Sequence, residues 1–195
     1  MVAGTQDLYC LYPPNSNQVI ASWSSSVGEY PYYAIFDGTT WSAPAPISMS
    51  LQVLNLVFLM YFPQNNTTIA TWGDKSTTAA YYSVYNGMSW STPAEIDTSS
   101  AGMIYNDVTL SYDPTSMTIM GTWASATGTH PYYALYNGTT WTSATLIDSS
   151  MTSTATNNVY TSFDSSSYQT ISTWSDGFTS YPTYSAYNGA KLFQK

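Results

Sequence analysis

Oxygen-bearing side chains recur at one position of a repeated pattern in this 195-residue sequence. Asp7, Asp107 and Asn158 each lie sixteen residues before a tryptophan, and Asn55 lies beside the same position in a further segment. Carboxylate and amide oxygens are ligands that hard cations such as Ca²⁺ prefer. If these residues begin neighbouring inner strands, they form a ring that binds a cation at one mouth of a central channel. The alternative is that they are solvated turn residues.

Aromatic side chains next to proline form a second candidate site. Three segments carry them at equivalent positions: Tyr30-Pro31-Tyr32, His130-Pro131-Tyr132 and Tyr181-Pro182. Aromatic faces stack on sugar rings, and repeated equivalent sites bind with avidity. We therefore interpret Tyr30, Tyr32, His130, Tyr132 and Tyr181 as candidate ligand-binding residues. The alternative is that proline begins an exposed edge strand, where its missing N–H does no harm.

Groups that could perform catalysis are scarce in this sequence. His130 is the only histidine, and we expect it to be an exposed loop residue. Glu29 and Glu95 are the only glutamates, and neither recurs in the pattern. Asp97 and Asp148 each follow an isoleucine at the end of an expected strand, which is typical of turn residues. Because glycoside hydrolysis needs a pair of carboxylates, we predict no catalytic residues and no enzymatic activity.

Composition narrows the classes of function. The net charge is −8 and the chain has no arginine, so it repels polyanions, whereas nucleic-acid binding needs Lys or Arg on phosphates. No apolar run reaches the ~20 residues of a membrane span, and no signal peptide is visible. Cys10 is the only cysteine, and its apolar surroundings predict a buried position. The abundance of Tyr, Ser and Thr is common in secreted proteins, so we expect an extracellular or cell-surface location.

An internal repeat provides the elements that must position these residues. Its first landmark is a tryptophan spaced by 49, 51 and 51 residues: Trp23, Trp72, Trp123 and Trp174. A tyrosine follows each of them by ten residues: Tyr33, Tyr82, Tyr133 and Tyr184. Eighteen residues after the landmark stand Trp41, Trp90, Trp141 and, in the last copy, Leu192. Apolar residues with a period of two precede each landmark, which predicts strands.

Each repeat indicates four antiparallel strands. Asp-Gly or Asn-Gly lies between the third and fourth strands, and this pair favours a two-residue type I′ turn. Four such strands in ~50 residues are typical of a β-propeller blade. We therefore predict a single all-β domain over residues 1–195, a propeller with blades at 1–50, 51–101, 102–151 and 152–195. Both tryptophan columns are expected to be buried between blades.

The pattern W, then YY, then [FY]-[DN]-G-x-x-W-[ST] resembles short-repeat propellers of the sialidase-like and lectin-like kind. The resemblance covers nearly the whole chain at the level of the blade, and it implies a propeller that binds carbohydrate. The sialidase motif S-x-D-x-G-x-x-W separates Asp from Gly, whereas Asp37 and Gly38 are adjacent here. Sialidases also hold the substrate carboxylate with an arginine cluster, which this chain lacks. Sialidase activity is therefore not expected.

Three functional hypotheses follow from these patterns. The first is a non-enzymatic binding module for a carbohydrate or a cell-surface partner. The second is a structural or assembly unit, part of a larger ring made by a homodimer through the propeller edges or by a longer parent chain. The third, and least supported, is an enzyme that acts on glycosides. No cofactor is expected apart from Ca²⁺ or another cation in the channel, and no nucleic-acid partner is expected.

Overall fold

The computed structural model describes residues 8–14, 16–99, 104, 106–126, 130–148, 158–176, 181–189 and the backbone of 192–194. The regular secondary structure of these residues consists of β-strands joined by turns and loops. None of the described residues belongs to a helix that could cross a membrane. The strands are β1 (Leu8–Leu11), β2 (Val19–Ser24), β3 (Pro31–Phe36), β4 (Ala45–Pro46), β5 (Phe58–Phe62), β6 (Thr67–Gly73), β7 (Ala80–Tyr85), β8 (Ala94–Glu95), β9 (Thr109–Asp113), β10 (Thr118–Ala124), β11 (Pro131–Tyr136), β12 (Thr145–Leu146), β13 (Val159–Asp164), β14 (Gln169–Ser175), β15 (Pro182–Tyr187) and β16 (Leu192–Gln194).

Four four-stranded antiparallel sheets confirm the predicted four-bladed propeller. Each sheet takes its strands in chain order, β1–β4, β5–β8, β9–β12 and β13–β16. The register repeats as well, because the first tryptophan of a blade pairs with the residue nine positions later. Trp23 pairs with Tyr32, Trp72 with Tyr81 and Trp123 with Tyr132. The sequence repeat is therefore a repeat of hydrogen-bonded geometry.

The turn before the fourth strand differs from the predicted type I′ turn. Gly38, Gly87 and Gly138 have φ of 98°, 95° and 98°, but the preceding Asp37 and its asparagine counterparts do not share the left-handed conformation. Instead, Asp37 Oδ1 accepts hydrogen bonds from the N–H groups of Thr39 and Thr40, both at 2.8 Å. The loop therefore spans residues 37–40, flanked by a bridge between residues 36 and 41.

The fourth strands are only two residues long in the first three blades, because a side-chain hydroxyl enters the ladder. Ser42 N donates to Ile35 O at 2.8 Å, while Ser42 Oγ accepts from Ile35 N at 3.0 Å. Ser91 and Thr142 repeat this arrangement in the next two blades. The hydroxyl stands where a backbone carbonyl would continue the pairing, so regular pairing resumes only near the end of the segment, at Ala45 in the first blade.

Each sheet has one side that faces the following blade in the chain, and we call this side the forward face. Hydroxyl groups on the forward face join neighbouring blades. Ser22 Oγ donates to Val57 O at 2.8 Å, and Thr71 Oγ1 donates to Val108 O at 3.1 Å. Thr122 Oγ1 donates to Val159 O at 3.3 Å in the third interface. Buried carbonyls need such donors, so each bond fixes one blade against the inner strand of the next.

The opposite side of each sheet, which we call the back face, receives the preceding blade. It carries both tryptophans of its blade and the residue fifteen positions before the first. Tyr82, on the forward face of blade two, packs on Tyr136 and Trp141 of blade three with ring centroids 5.9 Å and 5.8 Å apart. A side chain at Gly121 would lie 3.0 Å from the Trp141 ring, so glycine lets that indole lie flat on its own sheet.

The structure confirms the predicted burial of three tryptophans and corrects it for the others. Trp72, Trp123 and Trp174 are buried, whereas Trp23 is only partly buried. In the second column, Trp90 and Trp141 are half-buried and Trp41 is exposed. The prediction that Cys10 is buried is wrong, because the thiol lies on the back face of blade one, where no blade covers it.

We predict that Thr71→Val destabilises the fold. The substitution keeps the shape of the side chain but leaves the buried Val108 carbonyl without its donor, which costs about 1–3 kcal/mol. Urea unfolding followed by tryptophan fluorescence should show a lower midpoint. Thr39→Val, the same change at an exposed loop residue, serves as the control and should leave the midpoint unchanged. Equal midpoints for the two variants would contradict the role assigned to this hydroxyl.

Candidate functional site

The loops between the second and third strands of a blade lie at the same end of the sheets as the starts of the inner strands. This follows from the antiparallel order, since the chain reverses direction at every strand. The three aromatic–proline segments and the predicted ring of oxygen ligands therefore share one face of the propeller. Each segment belongs to a different blade, however, so they represent separate positions around the face.

The aromatic–proline residues have a structural role in closing their loops. The carbonyls of Tyr30 and His130 accept hydrogen bonds from Ser25 N and Ser125 N, both at 2.9 Å, and Tyr181 O accepts from Asp176 N at 3.0 Å. Tyr181 is well exposed, and its ring is the most open of these candidates.

Three of the remaining aromatic candidates lie partly within their own blades. Tyr32 packs against Trp23 at 6.4 Å, and its hydroxyl contacts Met49 Sδ at 3.7 Å. Tyr132 packs on the apolar cluster that blades two and three share. The expectation that His130 is exposed is wrong, since it is half-buried and its Nδ1 atom is buried without a hydrogen-bond partner among the residues that the structure describes. Ligand binding by these aromatic groups stays a prediction.

Two residues of the predicted cation ring make contacts between blades. Asp107 Oδ1 accepts a hydrogen bond from Leu56 N at 3.0 Å, and the Asn55 amide donates to Asn106 Oδ1. Asn158 donates to Tyr160 Oη at 3.2 Å, and Asp7 lies outside the described residues. Within the described part of the chain, no three His, Cys, Asp or Glu side chains form a metal-binding group. A cation held by the amide and carboxylate oxygens stays a prediction.

A cleft between blades two and three forms an open recess in the surface of the propeller. Its volume is about 350 Å³, within the range of small-molecule sites. One wall is the segment Glu95–Ser99, which leaves blade two, and the other is Trp141–Ala144, which leads into β12. Glu95, Thr98 and Ser143 are exposed along its rim. The cleft therefore combines one indole, two carboxylates and several hydroxyls.

The two carboxylates of this cleft have different environments. Burial acts against ionisation of Asp97, but the N–H groups of Ala144 and Ser99 donate to it at 2.5 Å and 2.7 Å and keep its pKa below the usual range. Glu95 Oε1 accepts a hydrogen bond from Tyr81 at 2.9 Å, and burial together with that bond raises the pKa of Tyr81. Asp97 thus holds the walls together, while Glu95 is available at the rim.

A smaller groove of about 100 Å³ lies on the opposite face, between blades one and two. Pro13 stands there at the position that Phe62 occupies in blade two. Phe62 fills its interface by packing on Tyr136 at 5.7 Å, whereas the shorter proline leaves space beside Tyr61 and Tyr85. This groove is too small to rival the cleft as a ligand site.

Sequence reasoning missed the cleft as a site, although it considered Glu95, Asp97 and Trp141 one by one. The two walls are about 45 residues apart in the chain and meet only because neighbouring blades pack together. The available signal was the position of Trp141 in the repeat, since a residue on the back face must contact whatever leaves the preceding blade.

Comparison with solved structures supports the fold. The chain superposes on a triple arginine-to-alanine variant of AofleA from Arthrobotrys oligospora with a TM-score of 0.69 and 10% identity, over 100% of this chain and 58% of that one. It thus spans little more than half of the AofleA chain. The arabinofuranosidase PaAbf62A from Podospora anserina gives 0.56 and 12%, over 94% and 63% of the two chains.

A variant of the NanB sialidase from Streptococcus pneumoniae gives a TM-score of 0.58 at 13% identity, over 85% of this chain and 28% of that one. At these identities the likeness shows the fold alone, and it confirms the expected resemblance to sialidase-like propellers at the level of the blade. No protein-family model matches the sequence. No curated protein matches it either.

Asp74 organises the loop between β6 and β7, on the propeller face that carries the aromatic–proline segments. Its carboxylate is buried and accepts hydrogen bonds from Gln52 N, Thr77 N and Thr77 Oγ1 at 2.9, 2.9 and 2.8 Å, and another from Ser76. Burial acts against ionisation, but these donors keep the pKa of Asp74 below its ordinary value of 3.8. The ionised group therefore stabilises the fold above that pH, and this contribution is lost as the pH falls through the lowered pKa.

We predict that Asp74→Asn lowers the free energy of unfolding at neutral pH by about 1–3 kcal/mol, because an amide nitrogen cannot accept the lost hydrogen bonds. The difference from the unmodified protein should shrink at acid pH, as Asp74 itself becomes protonated. Urea titrations at neutral pH and well below 3.8 measure both effects. Asp37→Asn is the control, since asparagine occupies this turn position in the other blades. A pH-independent difference would contradict the assignment.

Proposed function

We propose that the protein is a non-enzymatic carbohydrate-binding module and that it holds a sugar in the cleft between blades two and three. The observation that carries the proposal is the polar cleft of about 350 Å³ with an indole in its wall. Sugars are recognised by aromatic surfaces and by acceptors and donors for their hydroxyl groups. Glu95 supplies a charged acceptor, and the exposed Thr98 and Ser143 supply groups that both donate and accept.

Charge favours neutral sugars as the ligand class. The net charge is −8 and the cleft has two carboxylates and no cation among its lining residues. A sialic acid or a sulfated sugar would therefore meet repulsion. This chain has no arginine, so recognition of a sugar here must rely on other side chains.

The ionisation of Asp97 argues against a glycosidase in this cleft. A general acid for glycoside cleavage needs a raised pKa, so that it is protonated near neutral pH. Asp97 has the opposite shift, because backbone N–H groups stabilise its ionised form. The similar structures include a sialidase and an arabinofuranosidase with cellotriose, which is compatible with a carbohydrate ligand on this fold.

We predict that the protein binds neutral glycans on an array and that Glu95→Gln weakens the best ligand about tenfold in isothermal titration calorimetry. Hydrogen bonds to charged groups contribute about 1.5–3 kcal/mol, and 1.4 kcal/mol corresponds to a factor of ten. Glu29→Gln is the matched control, because Glu29 is the other glutamate and pairs with Lys75 outside the cleft.

Three outcomes would overturn the proposal. The first is an array without any bound glycan for protein whose circular dichroism is that of the folded state. The second is equal affinities for the two glutamine variants. The third is the release of sugar from a bound oligosaccharide, which would replace the binding module by an enzyme.

A further inference from the structure

The last blade presents a forward face that no blade covers within the described structure. Thr173 stands where Ser22, Thr71 and Thr122 stand in the other blades, and those three are fully buried whereas Thr173 is exposed. Tyr184, the counterpart of Tyr82, is 39% exposed. The donor and the aromatic ring that join every internal pair of blades are therefore both left open on blade four.

The first blade presents the matching back face, also uncovered. Leu8 is 61% exposed, although its counterparts Val57, Val108 and Val159 are at most 1% exposed. Trp41 is 51% exposed, whereas Trp90 and Trp141 are half-buried beneath the tyrosines of the preceding blades. The receiving half of the interblade interface is thus open at the other side of the structure.

These two faces do not cover each other within one chain. The inner strands pack in sequence, β1 against β5, β5 against β9 and β9 against β13, but no comparable packing joins β13 to β1 among the described strands. The ring of four blades is therefore open between blade four and blade one, and each side of the gap exposes one half of an interface that the molecule already makes three times.

We propose that a second copy of this chain fills the gap. The forward face of blade four in each copy packs on the back face of blade one in the other copy. The contact therefore forms twice and closes a head-to-tail dimer. The argument is continuity with the internal interfaces. Thr173 is placed to donate to the Leu8 carbonyl of the other copy, as Thr71 donates to Val108. Tyr184 is placed to pack on Trp41 of the other copy, as Tyr82 packs on Trp141.

The composition of the two faces suits such an interface. The exposed groups named on them, Leu8, Cys10, Trp41, Thr173 and Tyr184, are all uncharged. These groups can be buried without removing a charge from water. A carboxylate lies at the edge of the forward face, because Asp164 pairs with Gln169 at the end of β13 and alternates with the same period as Thr173. A contact between two different patches forms a ring when its rotation closes and an open filament when it does not. Closure by two copies places eight blades around the axis.

The experiment measures the mass of the 195-residue chain in solution by light scattering after gel filtration. The expected mass is twice the 21.4 kDa of one chain. Tyr184→Lys and Leu8→Lys each place a charge on one of the two faces, so each variant should elute as a monomer with unchanged circular dichroism. Tyr168→Lys is the control and should stay dimeric, because Tyr168 is 66% exposed but lies in the turn between β13 and β14.

Cys10 provides an independent readout, because it lies on the back face of blade one and is the only thiol. Leu59, the counterpart of Cys10 in blade two, is fully buried by the preceding blade. In the dimer Cys10 should be covered in the same way and react slowly with a thiol reagent. The reaction should become fast in the Tyr184→Lys variant.

Each other result overturns the proposal. A wild-type monomer with a reactive thiol leaves the faces open, and a monomer with a protected thiol means that blade one is covered within the chain. Masses above the dimer indicate a filament. Disruption by only one of the two lysine variants indicates an interface between identical faces.

Discussion

The contact between one blade's forward face and the next blade's back face is the interaction on which the rest of the structure depends. A single four-stranded sheet cannot bury both of its surfaces, so each blade is stable only between neighbours. The contact has two parts that act together. A hydroxyl from Ser22, Thr71 or Thr122 satisfies a valine carbonyl of the next inner strand. A tyrosine further out packs on the aromatic residues of the next blade, with centroids 5.5–5.9 Å apart for Tyr33 and Tyr82.

The same contact explains where the candidate cleft lies. Near the axis the hydroxyl bonds hold the inner strands together, so little space is left between blades. At the periphery the fourth strands are only two residues long in the first three blades, because a hydroxyl interrupts their ladders. The segment that leaves β8 therefore diverges from the edge of blade three. The hydrogen bonds that Asp97 accepts from Ala144 and Ser99 keep this separation fixed and line it with polar groups.

Much of the fold could be predicted from the sequence, because its landmarks obey a spacing that packing requires. The tryptophan spaced by 49, 51 and 51 residues, with a tyrosine ten residues after each copy, indicated β2 and its counterparts. The turn geometry and the length of the fourth strand could not be predicted in this way, since both depend on where the oxygens of Asp37 and Ser42 find their hydrogen-bond donors. The cleft was missed because no local pattern reports a site whose walls come from two blades.

The exceptions to the repeat share one physical cause. Cys10, Trp23 and Trp41 occupy positions that are apolar and buried or half-buried in internal blades, yet all three are more exposed than their counterparts. Exposed aromatic groups side by side on one surface are unfavourable in water, and an extended apolar patch of this kind marks a contact surface. A second copy would remove that cost and also duplicate the cleft between blades two and three. On the proposed function, two clefts held in one rigid ring would bind a multivalent glycan more tightly than either would alone, since the second contact is intramolecular. Assembly and ligand binding would then follow from the same face-to-face packing.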